Sequence, residues 1–390
     1  MDRVLIVANW DWVLYNFRLP LAAALVKAGY EVILVCPQGK YVERMRARGY
    51  RVELWPLSRR STNPVRELLA VWRLRSLYAR LTPAIAHHFC LKPNFYGSLA
   101  ALTLGSRKPA VINTFTGLGF LFSRHRLAAW LRACVMPVLR PSLLQKSNWT
   151  IFQNGADRES FLKAALALPR TSRVIAGSGI DVAHFGSKKP APPSGSAPVP
   201  IIFTAARLLW DKGVREIVQA AEILKQRRVR VEFWIAGAVD EGNLAAIPQA
   251  TIALWERQGL VQFLGHREDI RELLEKADIA LLASEHEGLP RFLLEAAACG
   301  LPLIATDIPG CRMIVREGVN GSLVPVKSPE AIAGAVMALL ADPARMQRYA
   351  AASRHIAETE YSEDTILAEY LDLYAAMGLN REIPRGAHAD

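Results

Sequence analysis

Short apolar runs alternate with longer amphipathic stretches along almost the whole chain, and this rhythm limits the fold more than any other feature. In the first half, Val4–Ala8, Glu31–Val35, Arg51–Trp55, Ala84–Phe89, Ala110–Asn113, Trp149–Gln153 and Arg173–Ala176 read as strands. In the second half, Pro200–Ala205, Glu232–Ala236, Val261–Leu264, Ile279–Ala283, Pro302–Ala305 and Ser322–Val324 repeat the pattern. Stretches with a helical period, such as Arg18–Ala28 and Pro64–Leu81, lie between most of them. Strands that alternate with helices predict βαβ units and a parallel sheet, and near-continuous apolar strands predict sheets covered on both faces.

At 390 residues the chain is too long for one core. Gly186–Pro200 carries five prolines and no apolar period, as an interdomain linker would. The expectation is an α/β protein of two doubly wound, Rossmann-like domains facing across a cleft. Residues 1–182 form the first domain, 183–200 the linker and 201–361 the second. A last helix, about 362–379, packs back on the first. Ligands of such domains bind at the carboxyl ends of the strands.

Composition excludes several classes. Apolar residues make up 51% and charged residues 22%, so the chain is not of the disordered kind. Cys36, Cys90, Cys134, Cys299 and Cys311 are scattered, without the spacing of a zinc cage or disulfide framework. Met1-Asp2-Arg3 runs straight into Val4–Ala8, which predicts no secretory leader, and no apolar run reaches the roughly 18 residues of a membrane span. The net charge of +12 is uneven. Residues 1–180 hold 26 Lys and Arg against 8 Asp and Glu, and residues 181–390 hold 22 against 28. A basic first half predicts an anionic partner there.

Two segments could carry chemistry. Ser284–Glu295 follows a strand, with Pro290 suited to the first helical position and Gly300 to the helix end. Gly288 admits close approach of a ligand to the backbone, and the N–H groups near Leu289 and Pro290 suit a diphosphate. Glu287 and Glu295 flank that position, as a ligand with hydroxyls on both sides of a diphosphate requires. The same residues also fit an ordinary αβ connection with surface glutamates. In Phe203–Gly213, Arg207 leaves a strand and Lys212 opens the next helix; the two can neutralise a diphosphate or be solvated surface charges. The first strand is followed by Asn9-Trp10-Asp11-Trp12 rather than GxGxxG, against an ordinary dinucleotide dehydrogenase.

The order Arg-Leu…Lys-Gly, Ile235-Ala236-Gly237, Leu264-Gly265-His266, then Glu-Gly-Leu-Pro with a second Glu eight positions after the first, resembles the retaining glycosyltransferases of family four, which have the GT-B fold. The resemblance covers nearly the whole chain and is strongest over 200–325. Tyr15–Arg18, His88–Asn94 and Thr114–Gly119 are similar to the subgroup that adds N-acetylhexosamine to polyprenyl-diphosphate-linked sugars. The resemblance implies that Arg207 and Lys212 hold the donor diphosphate, that Glu287 touches the donor sugar, and that Gly288, Leu289 and Pro290 lie near sugar and phosphate. Glu295 would bind the ribose; Gly237, His266 and Arg267 would border the base. Asn16, Arg18, His88, Lys92, Thr116, Gly117 and Gly119 become candidates for the acceptor side. It further implies a UDP-sugar donor and neither metal nor cofactor. One departure stands out: many members carry a histidine after the fifth strand, where this chain has Asn113-Thr114-Phe115-Thr116. His87, at the end of an earlier strand, reads as a packed residue.

Arg124, Arg126, Arg132 and Arg140 lie among Phe120, Leu121, Phe122, Leu127, Trp130, Leu131 and Leu139, a basic amphipathic stretch of the kind that rests in a membrane interface. It fits equally a helix with one buried stripe. Arg59, Arg60, Arg66, Arg73 and Arg75 add charge to the same half. The expectation is peripheral attachment to the cytoplasmic face of the plasma membrane, next to a lipid-linked acceptor. Nucleotide-sugar 2-epimerases share the two-domain fold but not this motif order. A nucleic-acid-binding protein is disfavoured, since no zinc finger or RNA-recognition signature is present.

Overall fold

In the computed structural model of the chain, residues 1–58, 61, 63–117, 136–137, 139–186, 199–240, 242–243 and 245–377 are described. The chain divides into two compact units: Met1–Ser178 together with the segment from Asp364 onward, and Gly179–Glu363. The divisions fall at 178/179 and 363/364, where the sequence reading has 182/183 and 361/362. Ile180 N donates to Tyr361 O at 2.8 Å and Glu363 N to Ile180 O at 3.0 Å, which ties residues after Gly179 into the second unit. Phe185 is buried there, and its carbonyl accepts from Arg354 Nη1 at 2.7 Å. The expected linker therefore loses Ala183–Gly186; residues 187–198 of it lie outside the described residues.

The first unit carries one parallel sheet of seven strands: β1 (Arg3–Ala8), β2 (Glu31–Cys36), β3 (Arg51–Leu54), β4 (Ile85–Phe89), β5 (Ala110–Phe115), β6 (Asn148–Phe152) and β7 (Ser172–Val174). Their order is β3-β2-β1-β4-β5-β6-β7. The second unit carries a parallel sheet of six: β8 (Ile201–Ala205), β9 (Glu232–Ala236), β10 (Gln262–Gly265), β11 (Ile279–Leu282), β12 (Leu303–Thr306) and β13 (Gly321–Val324), in the order β10-β9-β8-β11-β12-β13. Each strand coincides with one read from the sequence, with ends displaced by a residue or two. In both sheets the order reverses beside the first strand, between β1 and β4 and between β8 and β11. That switch point leaves a crevice at the carboxyl ends.

Alternation along β1 shows why its strand is apolar throughout. Val4 and Ile6 face one core with Leu34 and Tyr370, while Leu5 and Val7 face another with Trp55, Leu74 and Tyr78. The last helix, Glu363–Ala376, packs Ile366, Tyr370, Leu373 and Tyr374 onto the first unit.

β4 sends its two histidines to opposite faces. His87 Nδ1 lies 2.8 Å from the Tyr374 hydroxyl and Nε2 2.8 Å from that of Thr114. His88 Nε2 lies 2.6 Å from the Tyr78 hydroxyl and Nδ1 2.8 Å from Asn113 Oδ1. Burial disfavours the imidazolium at both, holding His87 well below its ordinary range and His88 at about 4. The unfolded chain takes up these protons near pH 6.5, before the native state does, so stability rises with pH through this window. We expect unfolding free energy to be level above about pH 6.5 and to fall below it by about 1.4 kcal/mol per pH unit for each imidazole. Urea titrations between neutral pH and the His88 range check this. His88→Gln should remove one proton's worth of slope, and an unchanged slope would refute the assignment.

Candidate active site

Three strand exits in the second unit are drawn together by glycines. After β8, Ala206 N donates to Ala236 O at 3.0 Å, and Gly237 N donates to Gly265 O at 2.8 Å. A Cβ on Gly237 would stand 1.8 Å from Ala206 O, so only glycine allows the exits of β8 and β9 to touch. The β8 exit then makes a short 3-10 turn, Trp210–Lys212, and Gly213 opens helix Val214–Gln226. Gly213 has φ +70°, and a Cβ there would meet Ala283 O at 2.1 Å. This contact presses the turn against the exit of β11 and delivers Lys212 to it.

The segment from Ala283 to Pro290 supplies the other half. Lys212 Nζ lies 2.6 Å from Glu287 Oε1, and both side chains are largely withdrawn from water, 12% and 20% exposed. Buried Ser284 donates its hydroxyl to the same Oε1 at 2.8 Å. Glu285 N donates to Asp211 O at 2.8 Å, which fixes the two turns to each other. Beneath them sits the buried Cys311 thiol, pushed up to about 12 by burial first and by the Glu287 charge next. The helix that follows is Arg291–Ala298, with Pro290 as its buried N-cap rather than its first residue. Leu293 N donates to the Pro290 carbonyl at 3.1 Å. A fixed ammonium, a carboxylate and a helix N-terminus at the switch point form a place for a polyanion that bears hydroxyls.

The other expected residues of this unit are arranged around that centre. Arg207 is exposed; its Nη1 lies 2.8 Å from Asp240 Oδ2, which also accepts from Asn243. An exposed pair of this kind is worth only about 0–1 kcal/mol, so an incoming anion can take the guanidinium over. Glu295 is held by Arg291 Nε at 3.0 Å, and burial raises its carboxyl above the usual range despite that cation. Arg291 also reaches the Gly179 carbonyl at 3.2 Å. Gly288 and Leu289 are half-buried at the turn. His266 and Arg267 are exposed at the β10 exit, where Arg267 Nε donates to Asp269 Oδ1 at 2.7 Å. Ser284, Asp240 and Cys311 were not assigned roles from the sequence. Ser284 alone had a visible signal, standing three residues before Glu287.

Three acceptor candidates of the first unit are engaged within the fold. Arg18 is buried, with its guanidinium 4.0 Å from the Phe89 ring centre and donating to Gly177 O at 3.3 Å. His88 is sealed between Tyr78 and Asn113, as described above. Lys92 directs its ammonium to Ser58 O at 2.9 Å, Ser61 O at 2.7 Å and Glu67 Oε2 at 3.0 Å, which uses its three N–H groups within the fold. His88 and Lys92 stand at the carboxyl end of β4 and Arg18 ten residues past β1, and partners remote in sequence engage all three. Asn16, Thr116 and Gly117 stay accessible, Asn16 donating to Trp12 O at 2.9 Å. Gly119, Arg59, Arg60, Arg124, Arg126 and Arg132 lie outside the described residues.

Residues 3–154 match the family "Glycosyl transferase 4-like", and residues 191–356 match "Glycosyl transferases group 1". The chain is a glycosyltransferase, each half matching a glycosyltransferase family model. A Campylobacter jejuni relative, N,N'-diacetylbacillosaminyl-diphospho-undecaprenol alpha-1,3-N-acetylgalactosaminyltransferase, is 29% identical over 93% of this chain and 95% of its own. Alpha-maltose-1-phosphate synthase of Mycobacterium tuberculosis is 31% identical over 62% of this chain and 58% of its own. Among solved structures, a Rickettsia africae glycosyltransferase aligns with a TM-score of 0.76 at 19% identity, covering 97% of this chain and 99% of that one. HepE from Anabaena, solved with UDP, aligns with a TM-score of 0.76 at 17% identity over 96% and 100%. At these identities the likeness establishes the fold, and the two parallel α/β units are those of GT-B glycosyltransferases.

The Lys212–Glu287 pair should be visible in the transferase's stability. Removing one partner strands the other's charge with little water. Lys212→Ala and Glu287→Ala should therefore each cost about 2 kcal/mol, below the range for fully buried pairs. The double variant should cost less than the sum by at least about 1 kcal/mol. Chemical denaturation of the four proteins checks this, and strict additivity would show the two side chains to be independent.

Proposed function

We propose that this glycosyltransferase moves an N-acetylhexosamine from a UDP-sugar to a polyprenyl-diphosphate-linked saccharide, with retention at the anomeric carbon. The observation that carries the reading is the Lys212–Glu287–Ser284 cluster at the β8/β11 switch point. Two similarities support the substrates: the C. jejuni relative is named for an acceptor of this class, and HepE holds UDP.

In this reading Lys212 keeps one N–H for Glu287 and turns the others to the donor diphosphate. Arg207 leaves Asp240 and grips the same group as a fork. Glu287 gives Oε1 to Lys212 and Ser284, so Oε2 accepts from a donor-sugar hydroxyl. Glu295 takes the ribose hydroxyls; Gly237, His266 and Arg267 border the base. The acceptor hydroxyl attacks on the face from which the diphosphate departs, through an oxocarbenium-like state. The departing oxygen receives the proton, and the two cations stabilise the charge that grows on it. They do the work a divalent metal does elsewhere, so the reaction needs none. Asn16, Thr116 and Gly117 are left for the acceptor. The enzyme works attached to the cytoplasmic face of the membrane that carries this acceptor.

UDP and UDP-N-acetylhexosamines should raise the melting temperature as binders of the native state do, by RT ln(1+[L]/Kd) in free energy, while nucleoside monophosphates do so less. Failure of every nucleoside diphosphate to stabilise the protein would remove the reading. With a lipid-linked saccharide, Lys212→Ala should lower kcat at least tenfold, or about 1.4 kcal/mol. Product NMR should show an α linkage, and a β linkage would exclude front-face transfer.

A further inference from the structure

Helix Pro64–Leu81 is capped by Asn63, whose side chain accepts from Val65 N and Arg66 N, and it has two apolar faces. One carries Ala70, Leu74, Leu77, Tyr78 and Leu81 and is buried against the sheet. The other carries Val65, Leu68, Leu69 and Trp72, spaced i, i+3, i+4, i+7, at exposures of 72%, 67%, 42% and 60%. At about 100° per residue this second stripe lies diametrically opposite the first, so it points away from the unit's own core. Isolated exposed apolar residues need no explanation, but a contiguous stripe about 10 Å long does.

The charges around the stripe are of one sign. Arg66, Arg73 and Arg80 recur every seven residues along one flank, and Arg75 stands on the other. Arg80 is engaged by Glu53 at 2.7 Å, whereas no ion pair among the described residues involves Arg66, Arg73 or Arg75. The helix's single carboxylate, Glu67, turns inward, where it accepts from Lys92 and from the Tyr96 hydroxyl. A tryptophan and aliphatic ridge edged by guanidinium groups, with no outward acid, matches the boundary of an anionic bilayer: the ridge enters the acyl edge and the arginines meet lipid phosphates. We propose that the outer face of helix Pro64–Leu81 is a docking surface for an anionic lipid bilayer. This assigns a surface to the membrane attachment proposed above and does not rest on the catalytic reading, because attachment needs neither donor nor acceptor.

The test is sedimentation of the full-length protein with phosphatidylglycerol/phosphatidylcholine vesicles and with phosphatidylcholine vesicles alone. Wild type should partition onto the anionic vesicles and be released by salt. Leu68→Asp/Trp72→Asp should lower that partition by at least about tenfold. Arg66→Ala/Arg73→Ala should lower it by about tenfold on anionic vesicles and leave the weak neutral-vesicle signal unchanged. Arg66, Leu68 and Trp72 are exposed and Arg73 is half-buried without an ion pair among the described residues, so both variants should keep the wild-type melting temperature. Absence of wild-type binding to anionic vesicles, or equal binding by the Asp variant, overturns the proposal. So does a wild-type dimer that the Asp variant dissolves, which would make a second copy of the chain the occupant of this face.

Discussion

A lysine and a glutamate from connections 75 residues apart share one oxygen with a buried serine, and the organisation of the second unit follows from holding them there. Neither charge is well hydrated, so each requires the other. Their meeting depends on adjacency of β8 and β11, which is itself a product of the reversal in strand order. It depends too on Gly213, the one residue type that lets the turn lie against the Ala283 carbonyl. Chain topology, a backbone contact and an ion pair thus specify the same few ångströms. Consistency of this kind across levels marks a site built by the fold rather than laid on its surface.

The two cations of this region are held in different ways. Lys212 is fixed before any ligand arrives, whereas Arg207 rests on an exposed partner that costs little to leave. A preset charge favours the increase of charge in a transition state without reorganisation, and a mobile fork adapts to the ligand's position. Glu295 occupies a third condition, buried and raised in pKa with Arg291 alongside.

Much of this was legible from residues alone. The inner strands were visible because parallel strands covered on both faces must be apolar nearly throughout, whereas the partly exposed edge strands β3, β7 and β10 were marked by their place in the alternation with helices. Lys212 and Glu287 were visible because glycine and proline punctuate the turns that carry them. The surroundings of Arg18, His88 and Lys92 are not legible in the sequence, for one physical reason. His88 and Lys92 lie at the carboxyl end of β4, where ligand-binding residues gather, and Arg18 lies ten residues past β1, but their partners come from segments 10 to 159 residues away, and no local pattern announces them. The helix Pro64–Leu81 was placed to the residue, yet its two apolar stripes are equivalent in sequence. Only packing decides which one meets the sheet and which one meets the surroundings.

The return of the last helix to the first unit has a consequence for how the protein comes to be made. His87 waits for Tyr374, a partner 287 residues downstream, and the core around β1 waits for Ile366, Tyr370 and Leu373. At ribosomal rates of about 5–20 residues per second, that delay is on the order of tens of seconds. The segment translated first is therefore closed last: the Gly179–Glu363 unit has all of its residues while its predecessor is still an open sheet. A ribosome that stops early leaves the amino-terminal unit with an uncovered apolar face, the form that chaperones and proteases recognise.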